Sequence, residues 1–210
     1  MRAAERLFFE NPALYRAKCF IIETVIWKWI LSGVFQLEPR PMPHLDDLFR
    51  DKRVLIAACG PGDVSTGPSC ETAREVHAFD ISPAFVEACR KNRPTWRVFQ
   101  GDVANIPFPD GFFDVAIIYS SLHHIPLEAE VVLRELARVT KGTIVIVEQL
   151  APERGWLRHA LLGWWAITDG GVHYYTRSEL EAVMKKLALK VERLTQHGPI
   201  EHMMLGLLTR

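Results

Sequence analysis

Apolar residues in this chain fall in short unbroken runs separated by amphipathic stretches. Val54-Leu55-Ile56-Ala57-Ala58 follows Arg53 and ends in Cys59-Gly60-Pro61-Gly62-Asp63. A run bounded by charge on one side and glycine on the other predicts a strand buried on both faces. Further runs close at Phe79-Asp80-Ile81-Ser82, at Gln100-Gly101-Asp102-Val103, and over Phe113-Asp114-Val115-Ala116-Ile117-Ile118-Tyr119-Ser120. A fifth covers Thr143 to Val147. Val191 to Leu194 and Met203 to Thr209 predict two final strands, near enough in sequence to pair antiparallel.

Between the runs the period changes to that of a helix. Ser82-Pro83 predicts a helix start, with serine as N-cap and proline in the first turn, and puts Phe85 and Cys89 on the inner face. Glu128 to Val139 has Val132, Leu133, Leu136 and Val139 on one side, and Gly142 is expected to end that helix. Thr176-Arg177-Ser178-Glu179 predicts a capping box at the start of the last helix. Gly67-Pro68 predicts a late first helix, from about Pro68 to Glu75. His44 to Arg50 predicts a short helix with Leu45 and Leu48 inward, and Ala151 to Tyr175 is the least regular stretch.

Residues 1–43 stand apart. They are expected to be helical, with a break near Asn11-Pro12 and an extended connector over Pro39, Pro41 and Pro43. Ile21, Ile22, Val25, Ile26, Trp29 and Ile30 make one apolar stripe at helical period. The apolar part, Cys19 to Phe35, is short for a bilayer span, carries Glu23 and Lys28, and has no small-residue cleavage site after it. The stripe is expected either to pack as plain cover or to form a lid over a site.

The chemistry gathers at the strand ends. A strand stopping in Gly60-Pro61-Gly62 leaves main-chain N–H groups that a ligand can approach directly. Alone, that turn could be an ordinary strand-to-helix connection. Asp80 follows Gly60 by about the interval a ribose-binding acid requires, and Asp102 closes the next run. Acids at the ends of successive strands rarely arise together by chance.

These residues resemble those of class I S-adenosylmethionine-dependent methyltransferases, in the small-molecule, type 11-like branch. The resemblance runs from about Arg50 to the C-terminus. Its most specific parts are Cys59-Gly60-Pro61-Gly62, Asp80, and the run from Gly101-Asp102-Val103 through Pro107-Phe108-Pro109 to Phe113-Asp114, with Ser120-Ser121-Leu122-His123-His124-Ile125 after the fourth strand. The resemblance implies an α/β, Rossmann-like fold. Its seven-stranded, mostly parallel sheet has an antiparallel last strand and helices on both faces, and an N-terminal helical lid is added to it. It implies a domain over residues 44–210, in which 151–175 serve as an acceptor-binding insertion.

The resemblance also implies roles. Ala58, Cys59, Gly60, Pro61 and Gly62 would line the methionine part of S-adenosylmethionine, and Asp80 would take both ribose hydroxyls beside Ile81. Asp102 would take the adenine amino group, the Val103 N–H an adenine ring nitrogen, and Ser120 would face the methionine end. S-adenosylhomocysteine would be the product. Two positions depart from the family pattern: Ile56 stands where an acid is usual, and Ala58 where a glycine is usual. Glu10 or carbonyls of the glycine turn would then meet the cofactor's ammonium group.

Methyl transfer from a sulfonium needs a nucleophile held close, aligned and dry, with no fixed triad. His124, at the rim after the fourth strand, is a candidate general base, as is His173; either could instead contact substrate or serve structure. The aromatic residues Trp156, Trp164, Trp165, Tyr174 and Tyr175 point to an apolar or aromatic acceptor. A regulatory or weakly catalytic binding protein of the same fold is the alternative, motivated by Ile56 and Ala58. A nicotinamide-dependent oxidoreductase would need G-x-G-x-x-G, which Ala58-x-Gly60-x-Gly62 does not match.

Composition narrows the rest. Lys plus Arg and Asp plus Glu are 25 each, so no global basic field would draw in a nucleic acid. Cys19, Cys59, Cys70 and Cys89 have no paired or metal-binding spacing, which predicts a reduced, cytoplasmic chain. The histidines are scattered, and adjacent His123 and His124 would point opposite ways in an extended chain, so no metal site is expected. Peripheral membrane contact through the N-terminal stripe fits the same sequence.

Overall fold

The computed structural model describes residues 46–62, 70–168, 170–196 and 204–209, with isolated positions 11, 13, 14 and 17 before them. The N-terminal stripe, Glu10, Tyr15 and the proline connector lie outside the described residues. So do residues 63–69.

Seven strands form one sheet in the order β3-β2-β1-β4-β5-β7-β6. They are β1 (Arg53–Ala57), β2 (Glu75–Asp80), β3 (Arg97–Gln100), β4 (Phe113–Tyr119), β5 (Thr140–Glu148), β6 (Lys190–Gln196) and β7 (Met204–Thr209). β1 pairs parallel with β2 and β4, β2 with β3, and β4 with β5. β7 runs antiparallel to both β5 and β6. The chain moves outward from β1 to β3, then returns to lay β4 on the other side of β1. A crevice for a ligand opens at such a reversal.

The apolar runs are unbroken because alternate residues serve two cores. Leu55, Ala57, Phe79, Ala116, Ile118, Ile144 and Ile146 face one core, covered by α3 (Ala129–Val139) and α5 (Arg177–Lys186). Val54, Ile56, Ala78, Val98, Val115, Ile117 and Val145 face the other, with α2 (Pro83–Asn92) and Phe49 of the one-turn α1 (Asp46–Phe49). Leu48 packs there half-buried. α2 starts as its sequence predicts: Ser82 Oγ accepts the Phe85 N–H at 3.4 Å, with Pro83 in the first turn. The capping box at Thr176 and Glu179 is formed in both directions.

Three expectations are corrected. Gly142 lies inside β5 and ends no helix: α3 stops at Val139 and the strand begins at once. Its missing side chain serves sheet pairing, because a Cβ there would sit 2.3 Å from the Asp114 carbonyl oxygen. Residues 70–75 are not helical. Cys70 has φ +52°, Ala73 bridges Arg50, and Glu75 already opens β2. The stretch after β5 is more regular than expected, since it contains α4 (Trp156–Thr168).

Candidate functional site

β1, β2, β3 and β4 end on one rim of the sheet. Register sets Ala57 opposite both Phe79 and Ile118, Asp80 opposite Gln100, and Tyr119 opposite Val147. Residues 58–62, 80–82, 101–103 and 120–124 therefore emerge side by side.

The turn after β1 coils through three left-handed residues: Ala58 (φ +50°), Gly60 (φ +55°) and Gly62 (φ +65°). The Cys59 N–H donates to the Phe79 carbonyl at 2.9 Å, and the Gly62 N–H to the Cys59 carbonyl at 3.2 Å. The two glycines do different work. A Cβ on Gly60 would meet nothing within 4 Å, so its free face opens on the rim. A Cβ on Gly62 would lie 2.6 Å from Cys89 Sγ, so its bare face admits α2. The far side of the turn is tied to that helix by Asn92 Nδ2 donating to the Pro61 carbonyl (2.7 Å) and Arg93 Nε to the Gly62 carbonyl (3.2 Å).

Asp80 joins two loops. Its Oδ2 accepts the Gly60 N–H and its Oδ1 the Ser82 N–H, each at 2.9 Å. Burial raises its carboxyl above the usual carboxylate range, and N–H groups of Ser82, Gly60 and Ile81 oppose that rise. Beside it the Ile81 side chain is 69% exposed. Asp102 is exposed and accepts the Ala104 N–H at 2.9 Å. The Val103 side chain is in the core, which leaves only its main chain for the rim. Ser120 is left-handed (φ +44°) and its N–H donates to the Val147 carbonyl at 2.7 Å.

The turn after β4 is a single 3-10 turn, Leu122–His124, so His123 and His124 do not point apart: their ring centres are 4.1 Å apart. His123 is buried, bonded through Nδ1 to Glu148 and stacked on Tyr174 at 5.0 Å. Glu148, fully buried, also accepts the N–H groups of Leu122 and Gln149, both at 2.8 Å. The His123 carbonyl takes the Val172 and His173 N–H groups at 2.8 and 3.1 Å. One buried pair thus fixes the post-β4 turn, the end of β5 and the loop before Tyr174. His124 is half-buried at the rim, and His173 is largely exposed, 3.9 Å from Glu179.

Two contributors escaped the sequence reading. Glu148 closes the fifth apolar run as Asp80 closes the second, and that signal was present in the sequence. Ser121 Oγ lies 3.2 Å from the Ala58 carbonyl and 2.7 Å from that of Tyr119, linking the two rim turns. The aromatic stretch divides: Trp165 and Tyr174 are buried together with Ala151, Tyr175 is buried under α3, and Trp156 is 80% exposed. Among the described residues no three His, Cys, Asp or Glu side chains gather as metal ligands, and no helix is long and apolar enough to cross a membrane.

A family model described as a methyltransferase domain matches residues 54–143. The demethylmenaquinone methyltransferase of Paenarthrobacter aurescens is 34% identical over 99 residues, 46% of this chain and 38% of that one. That of Thermotoga maritima is 27% identical over 155 residues, 72% of this chain and 62% of that one. This chain thus spans less than two thirds of either relative. The crystal structure of an S-adenosylmethionine-dependent methyltransferase from Mesorhizobium loti overlays with a TM-score of 0.62 at 16% identity, covering 80% of this chain and 94% of the other, which speaks to the fold.

Proposed function

We propose that this chain, a class I S-adenosylmethionine-dependent methyltransferase by family, moves a methyl group from S-adenosylmethionine to a small apolar or aromatic acceptor. The observation that carries the reading is the pairing of Gly60 and Asp80: an unobstructed glycine face beside a buried carboxylate, on the rim where the sheet reverses. The residues fit the cofactor. Main chain of Ala58, Cys59, Gly60, Pro61 and Gly62 lines its methionine part. Asp80 uses its remaining lone pairs for the ribose hydroxyls, and Ile81 lays an apolar side chain against the adenine. Asp102 takes the adenine amino group, the Val103 N–H a ring nitrogen, and Ser120 faces the methionine end.

When bound, the cofactor supplies an electrophilic methyl group on a good leaving group, and S-adenosylhomocysteine remains. The protein's part is to hold the acceptor in line and dry, which can contribute ~7–11 kcal/mol in well-oriented systems. The acceptor pocket is assigned to residues 151–175 above the post-β4 turn, where Tyr174 packs on His123 and Trp165 on Tyr174. The two relatives are named for demethylmenaquinone, so a quinol-type aromatic is the acceptor class to try first. His124 stands where it could take a proton, a role usually worth about 10²–10⁴-fold. The lid role expected of residues 1–43, with Tyr15 near the cofactor, falls outside the described residues and belongs to the same proposal, as does a cytoplasmic protein with peripheral membrane contact.

The test is calorimetry with S-adenosylmethionine and S-adenosylhomocysteine, then turnover of a radiolabelled methyl group into short-chain quinols. Binding of both and labelled product support the reading; no heat and no thermal shift at millimolar ligand sink it. A second reading, a binding protein with weak or no catalysis, is favoured by Ala58 at φ +50° and the buried Ile56. Binding without turnover on any acceptor would select it.

A further inference from the structure

Two thiols meet beneath the glycine turn. Cys59 sits within it, half-buried between left-handed Ala58 and Gly60, and Cys89 lies buried on the face of α2 that packs against Gly62. Their sulfurs are 3.7 Å apart, with the Cys59 S–H donating to Cys89. The two residues are 30 apart in sequence, on separate elements, and neither has a role in the chemistry above that needs a thiol.

We propose that Cys59 and Cys89 are an oxidisable pair: a peroxide closes them into a disulfide, and the bond pulls the glycine turn out of the shape that holds the cofactor. The idea rests on the turn being the cofactor site. Half-buried Cys59 is the sulfur a small oxidant reaches. As the Cys59 sulfur attacks one peroxide oxygen, its own S–H proton passes to the departing hydroxide: an S–O bond forms, the O–O bond breaks, and the first water leaves. The Cys89 thiolate then attacks the Cys59 sulfenic sulfur. The S–S bond forms, the S–O bond breaks, and a second water departs. Two thiols lose two electrons to the peroxide, and their two protons end in the two waters. The local charges favour that second step. The Cys59 hydrogen bond, then the nearby Arg93 charge, hold the Cys89 thiol below its ordinary value, while the same hydrogen bond and burial push Cys59 up.

Bond formation must bring the sulfurs from 3.7 Å to about 2.05 Å. Cys89 is held on a packed helix, so the turn is the side that moves. Two hydrogen bonds stand in its way: Cys59 N–H to the Phe79 carbonyl and Gly60 N–H to Asp80. The second is the link that shapes the proposed ribose site.

The experiment uses the full chain with Cys70→Ser. In that background a tryptic link between Val54–Arg74 and Glu75–Arg90 can only be Cys59–Cys89. Hydrogen peroxide should remove two hydrogens from the mass and produce that link. Hydrogen exchange should speed up in Val54–Arg74, and S-adenosylhomocysteine should bind about tenfold more weakly until a reductant is added. Adding Cys89→Ser should leave reduced-state binding in place and abolish the response to peroxide. A peroxide-treated protein with no such link overturns the proposal, as does a link that changes neither exchange nor affinity. If the reduced protein binds no S-adenosylhomocysteine, the cofactor reading fails, while the link and the exchange rate still judge the thiol pair.

Discussion

Replacing Gly60 or Gly62 by alanine separates the site from the scaffold. Both glycines are left-handed, so alanine at either costs roughly 1–2 kcal/mol of backbone strain, offset by ~0.4–1 kcal/mol from a stiffer unfolded chain. They differ in what the new methyl group meets. At Gly60 it enters open space, so Gly60→Ala should lower stability by only about 1 kcal/mol. At Gly62 it falls 2.6 Å from Cys89 Sγ and 3.3 Å from Cys89 Cα. Overpacking of that kind adds about 1–3 kcal/mol, for a total near ~3 kcal/mol. The effect on binding should run the other way. The Gly60 methyl group would occupy the space in which the proposed reading lays the cofactor, so affinity for S-adenosylhomocysteine should fall at least about tenfold, whereas Gly62→Ala acts mainly through the fold. Urea midpoints and calorimetry on both variants read this. Equal stability losses, or parental affinity in Gly60→Ala, would refute the division of labour between the two glycines.

Asp80→Ala should weaken cofactor binding at least about tenfold, since a charged acceptor contributes ~1.5–3 kcal/mol per bond; it should still fold, because water can reach the half-buried Gly60 and Ser82. Burial raises the Asp80 carboxyl, so its contribution to stability is fully present below the unfolded value and is lost as pH rises through the native one. Ribose hydroxyls donate to the ionised form, so affinity should fall as pH drops through the raised native value of Asp80, and calorimetry on Asp80→Asn should lose that slope. Ala58→Gly should relieve strain at φ +50° and tighten cofactor binding without a loss in thermal midpoint; weaker binding would mean the alanine methyl group is itself a contact. Glu148→Ala removes the acceptor for His123, Leu122 and Gln149 at a fully buried site and should cost about 3–5 kcal/mol in chemical denaturation.

The strand runs were readable because a parallel sheet buried on both faces leaves no polar alternation, and each run stops at a turn residue. Ser82-Pro83 and Thr176 to Glu179 were readable because helix caps are local chemistry. Gly142 was misread because a glycine after an amphipathic helix looks the same whether it ends the helix or lets a neighbouring carbonyl in. α4 was missed because its aromatic residues mask its period. On the rim, Asp80, Asp102 and the glycine turn were legible from spacing. The His123–Glu148 pair was not, because its partners meet only through the pairing of β4 with β5. The same holds for Cys59 and Cys89, brought together by the crossing of α2 under the first turn.

A crystal structure with S-adenosylhomocysteine bound tests the central claim most directly. The account predicts both ribose hydroxyls within hydrogen-bonding distance of Asp80, the homocysteine laid over the free face of Gly60, and the adenine between Ile81 and Asp102. A ligand bound elsewhere, or one on this rim that leaves Asp80 with only its Gly60 and Ser82 partners, would contradict it.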